Sequence, residues 1–437
     1  FGIDKIDNLI GKLKVDEILI AMPSVSRAKR RSILNKLEQY PIVVRILPGM
    51  SELAQGRVNI GDLRKVSVKD LLGRNIAEPN KKLLGANITN KIVMVTGAGG
   101  SIGSELSRQI IVLKPKSIIL YEMNELALYN IEQELAGFNI LDVKIYPILG
   151  SINNQYRFKN VLNHFNINTI YHSAAYKHVP MVEFNNTEGV NNNIFGTLNC
   201  AQAAINARVE TFVLISTDKA VRPTNTMGAT KRFAELLLQA LSIENNKTLF
   251  SIVRFGNVLG SSGSVIPLFK KQIKDGGPIT VTDPNIIRYF MTITEAVELV
   301  IQAGSMGKGG DIFVLDMGEQ VKIDDLAKKM IKLSGLEIKD TLNPEGDIEI
   351  KYTGLRPGEK LFEELLIGEN VSKTSNPRIM RAQEEKLEWD QLKAILDELK
   401  IAISKNDSLK LRQLLIQAVP LFDPQCEVMD ILYREVG

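Results

Sequence analysis

The chain has 437 residues, of which 44% are hydrophobic and 24% are charged, and its 54 Lys and Arg against 50 Asp and Glu give a net charge of +4. This composition is typical of a globular protein with two or more domains, and without a basic stripe interleaved with aromatic residues it gives no support for a nucleic-acid partner. Two distant cysteines and three histidines without ligand spacing indicate a reducing compartment and no metal site.

Residues 1–85 carry a small α/β pattern. A buried strand over KVDEILIAMP, ending at residues 21–23, precedes an amphipathic helix over SRAKRRSILNKLEQY and a second strand over PIVVRILP. This order predicts a parallel pair, and we expect a partial Rossmann-like domain that lacks its first strand. The chain opens at Phe1 inside this pattern, without a signal peptide or an apolar run of ~20 residues, so we expect a fragment of a longer protein.

Residues 86–383 are expected to form one larger domain of the α/β class. Between about 91 and 265, six strands alternate with helical patterns and predict a Rossmann-type doubly wound parallel sheet. The strands are KIVMVTG, KSIILYE, VKIYPIL, TIYHSAA, TFVLIST and FSIVRFGNVL. From 266 to 383 the alternation loosens, which indicates a smaller mixed α/β substrate lobe. Residues 384–437 have a helical pattern, which predicts a cap on the fold or an oligomer interface.

The first motif is VMVTGAGGSIGSEL, in which Gly97, Gly100 and Gly103 lie where an apolar strand gives way to a helix. Glycine permits the tight turn and the approach of backbone to a pyrophosphate, while the helix N-terminus, here Ser101 and Ile102, supplies N–H donors and a positive dipole end. A turn without a ligand is the alternative, but the strand and helix on either side favour a dinucleotide site.

An acidic residue, Glu122, ends the second strand about 20 residues after the last glycine, where a carboxylate accepts hydrogen bonds from an adenosine ribose. No Arg neighbours it in YEMNE, which favours NAD over NADP as the cofactor; a solvated carboxylate is the alternative. Further cofactor contacts are expected from residues at neighbouring strand ends, namely Asn124, Ser151, Ile152, Ser173, Ala174, Ala175 and Lys177, of which Lys177 also suits a substrate.

The fifth strand ends in LISTDKAVRPTNTMGATKR. Its end carries Ser216, Thr217, Asp218 and Lys219, where ligands bind in open parallel sheets. Lys231 follows on a helix, and Ser216 and Lys231 are also expected to contact the cofactor. In short-chain dehydrogenases a Tyr precedes this Lys by four positions, but here that position is Met227. A surface ion pair is the alternative for Asp218 and Lys219.

These motifs together resemble the bacterial UDP-N-acetylglucosamine 4,6-dehydratases, and most specifically their large membrane-anchored branch. The resemblance covers residues from about 14 to 384 and rests on TGAGGSIGSEL, SAAYKHVPMVE, STDKAVRPTNTMGATKR, RFGNVLGSSGSVIPLF and GLRPGEKLFEELL. It implies a lyase that converts UDP-N-acetylglucosamine to the UDP-4-keto-6-deoxy sugar, as a first step toward glycoprotein or surface polysaccharide. It also implies an N-terminal membrane anchor at the cytoplasmic face of the bacterial inner membrane, with this fragment itself soluble, and a homo-oligomer.

The resemblance further implies a redox-neutral cycle with NAD as the cofactor. The sugar is oxidised at C4, water is eliminated across C5 and C6, and the hydride returns to C6. By position Thr217 contacts the O4 region, Asp218 is the acid at O6, Lys219 is the C5 base and Lys231 binds the nicotinamide ribose. Because the thioether of Met227 cannot accept a proton, the O4 proton has another acceptor: Lys219 acting with Thr217 ranks first, Asp218 second and a water chain past Lys231 third.

Nucleotide contacts are expected from RFGNVLGSSGSVIP and the arginine-bearing motifs that follow it. Asn257 suits phosphate and sugar, while Arg288, Arg356 and Glu359 suit the diphosphate and the uridine ribose, since Arg binds phosphate through two parallel hydrogen bonds. Retention at C5 is favoured over inversion. Two other functions stay open, a UDP-sugar 4-epimerase and a non-catalytic NAD-binding domain.

Overall fold

The computed structural model describes residues 79–433 except 139, 141, 246, 262 and 366–370, and, among the first 78, only 6, 10, 15, 17–22, 25, 27–37, 40–47 and 64–65. The predicted strand end at residue 23 therefore lies outside the described residues.

The strands, numbered along the chain, are β1 Glu17–Ile20, β2 Val43–Ile46, β3 Arg64–Lys65, β4 Ile92–Thr96, β5 Ser117–Glu122, β6 Lys144–Leu149, β7 Thr169–His172, β8 Thr211–Ile215, β9 Leu249–Arg254, β10 Asn257–Leu259, β11 Ile279–Val281, β12 Ile287–Thr292, β13 Asp311–Leu315, β14 Gln320–Lys322, β15 Ile338–Lys339, β16 Ile348–Tyr352, β17 Val371–Lys373 and β18 Ile379–Ala382.

The α-helices are α1 Arg27–Leu37, α2 Lys81–Gly85, α3 Ser101–Val112, α4 Glu125–Ala136, α5 Gln155–Phe165, α6 Val179–Glu183, α7 Asn186–Val190, α8 Gly196–Asn206, α9 Thr226–Glu244, α10 Val265–Lys274, α11 Ile293–Gly304, α12 Ile323–Lys332, α13 Trp389–Ser404 and α14 Ser408–Ala418. A π-helical turn spans Asn191–Phe195 and a 3₁₀ turn spans Asp218–Ala220.

The described residues divide into two compact units. The sheet unit takes its residues from 78–256, 293–317 and 356–437, and the lobe unit from 1–77, 257–292 and 318–355. Each unit thus combines segments that are distant along the chain.

The sheet unit is built on nine strands in the order β17-β18-β13-β9-β8-β7-β4-β5-β6. The seven strands from β13 to β6 are parallel, β18 pairs antiparallel with β13, and β17 pairs antiparallel with β18. Central strands such as β5 and β8 are buried along their whole length, as apolar runs in parallel sheets are. The predicted α/β fold of the Rossmann type is confirmed. One difference is that β13, expected in the lobe, pairs with β9 and extends this sheet.

The direction of strand order reverses between β4 and β7, because the chain continues to β5 and β6 on one side and to β8 and β9 on the other. At such a reversal the loops at the carboxyl ends of the two strands diverge and leave a crevice, which is where ligands bind in open α/β sheets. A ligand site is therefore expected at the carboxyl ends of β4 and β7.

Helix α9 lies inside the sheet unit and is buried on all its faces over most of its length. The two C-terminal helices, α13 and α14, cover it with leucines that belong to the main hydrophobic core, namely Leu392, Leu396, Leu399, Leu411, Leu414 and Leu415. Burying such a side chain contributes about 1.5–3 kcal/mol. The C-terminal segment thus caps the fold and holds α9 in place.

The lobe unit contains three small sheets, β1-β2-β3, β10-β12-β14 and β11-β16-β15. Strands β1 and β2 pair in parallel, with Glu17 opposite Val43, which confirms the predicted parallel pair. Val43 also forms an isolated bridge with Ser334, at the end of α12. The N-terminal strands and the later lobe segments therefore belong to one packed unit.

Candidate active site

The turn between β4 and α3 forms a cradle that has room only for glycine. Gly97 has a φ of +65°, and a Cβ there would lie 2.8 Å from the backbone of the segment after β7. A Cβ on Gly103 would run into the carbonyl oxygen of Gly97. Gly100 is the N-cap of α3, which begins at Ser101 and Ile102 and offers an anion its N–H groups and positive dipole end.

The carboxylate of Glu122, at the end of β5, is held by three backbone N–H groups. Gly99 donates to Oε2 at 3.0 Å, and Met123 and Asn124 donate to Oε1 at 2.8 and 2.9 Å. The side chain of Asn124 caps α4 by accepting from the N–H of Ala127. Glu122 is therefore oriented in advance by the same turn that carries the glycines, and it is not a mobile surface carboxylate.

A pocket of about 310 Å³ opens at this crevice, which we call the glycine pocket. Its volume lies within the range of ligand pockets, roughly 300–1,000 Å³. The predicted residues that line it are Gly97, Gly100, Glu122, Asn124, Ile152, Ser173, Ala174 and Ala175. Other predicted cofactor contacts do not line it, namely Ser101, Ile102, Gly103, Ser151, Lys177, Ser216 and Lys231. The residues that sequence reasoning missed are Gly99, Tyr121, Met123, Ala127, Gly150, Tyr176 and Asn192.

Two of the pocket residues that the sequence did not predict, Tyr176 and Asn192, depend on the π-helical turn. Asn192 and Asn193 lie in this turn, and Asn193 bonds both backbone groups of Tyr176, accepting from its N–H at 2.8 Å and donating to its carbonyl at 3.0 Å. Asn193 also donates to Thr230 on α9 at 3.0 Å. The run of three asparagines before an apolar helix was the available signal, because π turns are frequent at functional sites.

Charged side chains lie in contact with one another at the end of β8. Asp218 is 1% exposed, and its Oδ1 accepts from the hydroxyl of Thr217 at 2.8 Å and from Nζ of Lys219 at 3.0 Å. Among the described residues, no donor meets Oδ2 of Asp218. A buried carboxylate oxygen without a partner costs free energy, so its presence at a strand end indicates a position kept for chemistry.

The candidate acceptors of the O4 proton lie in contact with one another. The hydroxyl of Thr217 donates to Asp218, and the amine of Lys219 donates to the same oxygen. Asp218 thus contacts both Thr217 and Lys219, and the ranking of Lys219 acting with Thr217 first, Asp218 second and a water chain third stays a prediction. The hydroxyl of Thr217 also accepts from the backbone N–H of Lys219 at 3.3 Å.

Helix α9 places Lys231 and Met227 one turn apart. Nζ of Lys231 donates to the carbonyl of Ile215 at 2.7 Å, and burial lowers the pKa of Lys231 to about 8 while the carboxylate of Glu235 acts in the opposite direction. Met227 is buried in the first turn. The hydroxyl of Ser216 donates to Glu235 at 2.5 Å, so Ser216 connects the end of β8 to α9 instead of lining the pocket.

A buried carboxylate that sequence reasoning missed fixes the start of α9. Glu183, at the end of α6, accepts from the backbone N–H of Thr226 at 2.5 Å and from its hydroxyl at 3.0 Å. Burial raises the pKa of Glu183, and these hydrogen bonds together with Arg412 oppose the rise. The Glu183 carboxylate thus meets a helix N-terminus, where negative charge is stabilising, and it orients the helix that carries Met227 and Lys231.

The segment 356–363 also reaches this region. The side chain of Asn225, the N-cap of α9, donates to the carbonyl of Gly358 at 2.9 Å. Arg356 is exposed, and its backbone N–H donates to Glu359 at 3.1 Å. Further along, Oε1 of Glu363 lies 3.5 Å from Nζ of Lys219. The predicted residues Arg356 and Glu359 are therefore near one another. The carboxylate of Glu363, which was not predicted, lies beside the charged residues at the end of β8.

The remaining predicted substrate residues are not among those that line the glycine pocket. Asn257 and Arg288 belong to the lobe unit, on the neighbouring parallel strands β10 and β12. Arg288 is buried, and its guanidinium donates to the carbonyl of Ile287 at 2.8 Å. Lys177, in the sheet unit, is exposed just after β7. Their roles stay predictions.

Within the described ranges, no three His, Cys, Asp or Glu side chains are grouped to hold a metal ion. In the same part of the chain, no helix is both long and apolar enough to cross a membrane.

A doubly wound sheet with a glycine cradle, a strand-end carboxylate and a lysine-bearing helix defines a protein of the Rossmann class. Residues 93–384 match the family described as "Polysaccharide biosynthesis protein". The chain belongs to this family, which is part of the extended short-chain dehydrogenase/reductase superfamily.

Two relatives are similar to this chain in sequence. The capsular polysaccharide biosynthesis protein CapD of Staphylococcus aureus is 48% identical over 365 residues, which are 83% of this chain and 60% of CapD. A UDP-glucose 4-epimerase of Rickettsia rickettsii is 34% identical over 294 residues, which are 66% of this chain and 81% of that protein. The chain thus spans less than two thirds of the length of CapD.

Two solved structures have the same fold. Pen from Bacillus thuringiensis superposes with a TM-score of 0.60 at 34% identity, covering 69% of this chain and 90% of Pen. The dTDP-glucose 4,6-dehydratase DesIV from Streptomyces venezuelae, with NAD bound, superposes with a TM-score of 0.52 at 19% identity, covering 74% of this chain and 99% of DesIV. The likeness to DesIV shows the fold alone.

Proposed function

We propose that the chain is a lyase that binds NAD and dehydrates UDP-N-acetylglucosamine to the UDP-4-keto-6-deoxy sugar, with retention at C5. The observation that carries this proposal is the group at the end of β8, where a buried carboxylate contacts a hydroxyl and an amine on adjacent residues, Thr217, Asp218 and Lys219. A dehydration needs one acid and one base on the same small region of the sugar, and this group supplies both.

The residues of the glycine pocket fit NAD. The cradle at Gly97 and Gly103 leaves no room for side chains where a pyrophosphate approaches the backbone, and the N-terminus of α3 suits its charge. The fixed carboxylate of Glu122 suits the two ribose hydroxyls and repels a 2′-phosphate. When bound, NAD supplies a hydride acceptor for C4 and returns the hydride to C6.

The contacts at β8 support a complete proton path. During oxidation at C4, the hydroxyl of Thr217 accepts the O4 proton and passes its own proton to Asp218, which it already contacts. The neutral acid Asp218 then gives that proton to the leaving hydroxyl at C6. Lys219, in its neutral form, removes the C5 proton and returns it to the same face once C6 has been reduced. Lys231, anchored on Ile215, positions the nicotinamide ribose.

The substrate and setting rest on the resemblance and on the relatives. We assign nucleotide and sugar contacts to Lys177, Asn257, Arg288, Arg356 and Glu359, and expect a homo-oligomer at the cytoplasmic face of the bacterial inner membrane, with the anchor outside this chain. A place in glycoprotein or surface-polysaccharide synthesis follows the description of the family and of CapD.

The test uses UDP-N-acetylglucosamine that carries deuterium at C4, incubated with the purified protein without added cofactor. We expect a product that has lost one water and carries the deuterium at C6, because the same bound cofactor takes up the hydride and returns it. Deuterium that is lost to solvent, or that remains at C4, would rule out this cycle.

A UDP-sugar 4-epimerase is the second candidate, and the Rickettsia rickettsii relative favours it. The replacement of the usual Tyr by Met227 and the presence of Asp218 with Lys219 favour dehydration instead, because an epimerase eliminates no water. The same incubation separates the two functions, since an epimerase gives a product of unchanged mass.

A further inference from the structure

The segment 356–363 brings a second carboxylate to Lys219. Oε1 of Glu363 lies 3.5 Å from Nζ of Lys219, and the Glu363 side chain is 3% exposed. Lys219 therefore lies between Asp218 on its own turn and Glu363 from a segment far along the chain. Only the folded chain creates this pair of carboxylates around one amine.

The position of this segment is fixed by contacts with the same region. Asn225 donates to the carbonyl of Gly358, and Nζ of Lys360 donates to the carbonyl of Val221 at 3.0 Å. Both partners flank the 3₁₀ turn or the start of α9. The backbone that carries Glu363 is thus held by hydrogen bonds to the segment that follows β8, where Lys219 lies.

The charged groups that the described structure places around Lys219 include Asp218, Glu363 and Lys360. Burial lowers the pKa of Lys360, while Glu363, Glu364 and Asp218 oppose that change and Lys219 adds to it. The two amines and the carboxylates of Asp218 and Glu363 therefore interact as one group, in which Asp218 and Glu363 contact Lys219 directly.

We propose that Glu363 is the positioning residue that keeps a counter-charge beside Lys219 while Asp218 is protonated. This inference rests on the proposed function. Once Asp218 has taken the proton from Thr217 it is neutral, and it no longer balances the ammonium that forms when Lys219 removes the C5 proton. Glu363 contacts no reacting atom in this scheme. It stabilises the ammonium through charge, since an opposite charge at this distance favours the ionised form.

The test compares the pH dependence of kcat in Glu363→Gln with the wild-type protein. Lys219 acts as a base when neutral, so activity rises as pH increases through its pKa. A neighbouring carboxylate raises that pKa. Its removal in Glu363→Gln should shift the acid limb of the profile to lower pH by roughly 0.5–1 unit and reduce the plateau kcat by up to about tenfold, because the base is weaker.

Two variants serve as controls. Glu364→Gln removes the adjacent carboxylate, which is exposed and pairs with Arg222, and should leave the profile unchanged. Glu363→Asp keeps the charge and should retain the wild-type acid limb even if kcat falls. The proposal is overturned if Glu363→Gln has the wild-type acid limb, or if Glu364→Gln shifts it equally.

A second measurement does not depend on the reaction. NMR titration of protein labelled with ¹⁵N at lysine Nζ, with the Lys219 signal identified by its loss in Lys219→Met, reports the pKa of Lys219 without substrate. We expect a lower pKa in Glu363→Gln and no change in Glu364→Gln. An unchanged pKa overturns the proposal. If no dehydrated product forms with the wild-type protein, the proposed function fails, yet this titration still decides whether Glu363 sets the charge state of Lys219.

Discussion

Two clusters of buried charge border β8 and α9, and they are built differently. In the first, Arg254 on β9 donates to the carboxylates of Glu235 and Glu384, and Arg232 bonds the same two acids. Although burial alone acts to raise the pKa of Glu235, Arg254 and Arg232 bring it below its usual range. We call these four residues the paired quartet.

The second cluster, Asp218, Lys219, Glu363 and Lys360, is less complete. Asp218 keeps one buried oxygen for which the described residues provide no donor, and Lys219 remains partly accessible, with 18% of its side chain exposed. A fully paired cluster stabilises a fold, because removing any member strands a buried charge. A cluster with an open acceptor and an accessible amine can exchange protons with a ligand. The comparison therefore separates charge that serves stability from charge that is available for catalysis.

The largest effect is expected at the open cluster. Asp218→Asn and Lys219→Met should each lower kcat by roughly two to four orders of magnitude, the range for a positioned acid or base. The retained NAD should change little, since neither substitution touches the glycine pocket. Steady-state kinetics and cofactor content after purification measure both. Turnover close to wild type in either variant removes that residue from the mechanism.

A substitution in the paired quartet should act on stability instead. Arg254→Met leaves Glu235 and Glu384 facing Arg232 alone, and breaking a buried pair costs about 3–5 kcal/mol of unfolding free energy. Urea unfolding followed by the fluorescence of Trp389, the single tryptophan, reports on this unit. The control is Lys91→Met, which breaks a more exposed pair with Glu210 and should cost less than about 1 kcal/mol. Equal losses in both variants would contradict the distinction.

The smallest effect is expected at Met227, which is buried in the first turn of α9. Met227→Leu conserves volume in a buried site, so it should cost less than about 1.5 kcal/mol and keep most of the activity.

Thr217→Val is the comparison for Met227→Leu. It removes the hydroxyl that donates to Asp218 and should slow oxidation at C4, seen as slower reduction of the cofactor in single-turnover absorbance. The assignment is wrong if Met227→Leu abolishes turnover in folded, NAD-loaded protein while Thr217→Val does not.

Short-range signals in the sequence were sufficient for the elements and for part of the site. The alternation of apolar strands and amphipathic helices predicts the sheet, and the glycines after β4 and the acid at the end of β5 could be placed because a strand, a turn and a helix are contiguous in the chain. Thr217, Asp218 and Lys219 could be assigned to a strand end for the same reason. These features depend on neighbours within a few residues, so the order of amino acids is enough to predict them.

Other features depend on which distant segments pack together, and no local pattern encodes that choice. Strand β13 has the same apolar character as a lobe strand would have, and only its pairing with β9 assigns it to the main sheet. Glu183 and Glu363 look like ordinary surface acids in the sequence, but folding buries one at the start of α9 and the other beside Lys219. Burial and charge neighbours arise from contacts between remote parts of the chain, and for that reason the second carboxylate at Lys219 became visible only in the folded protein.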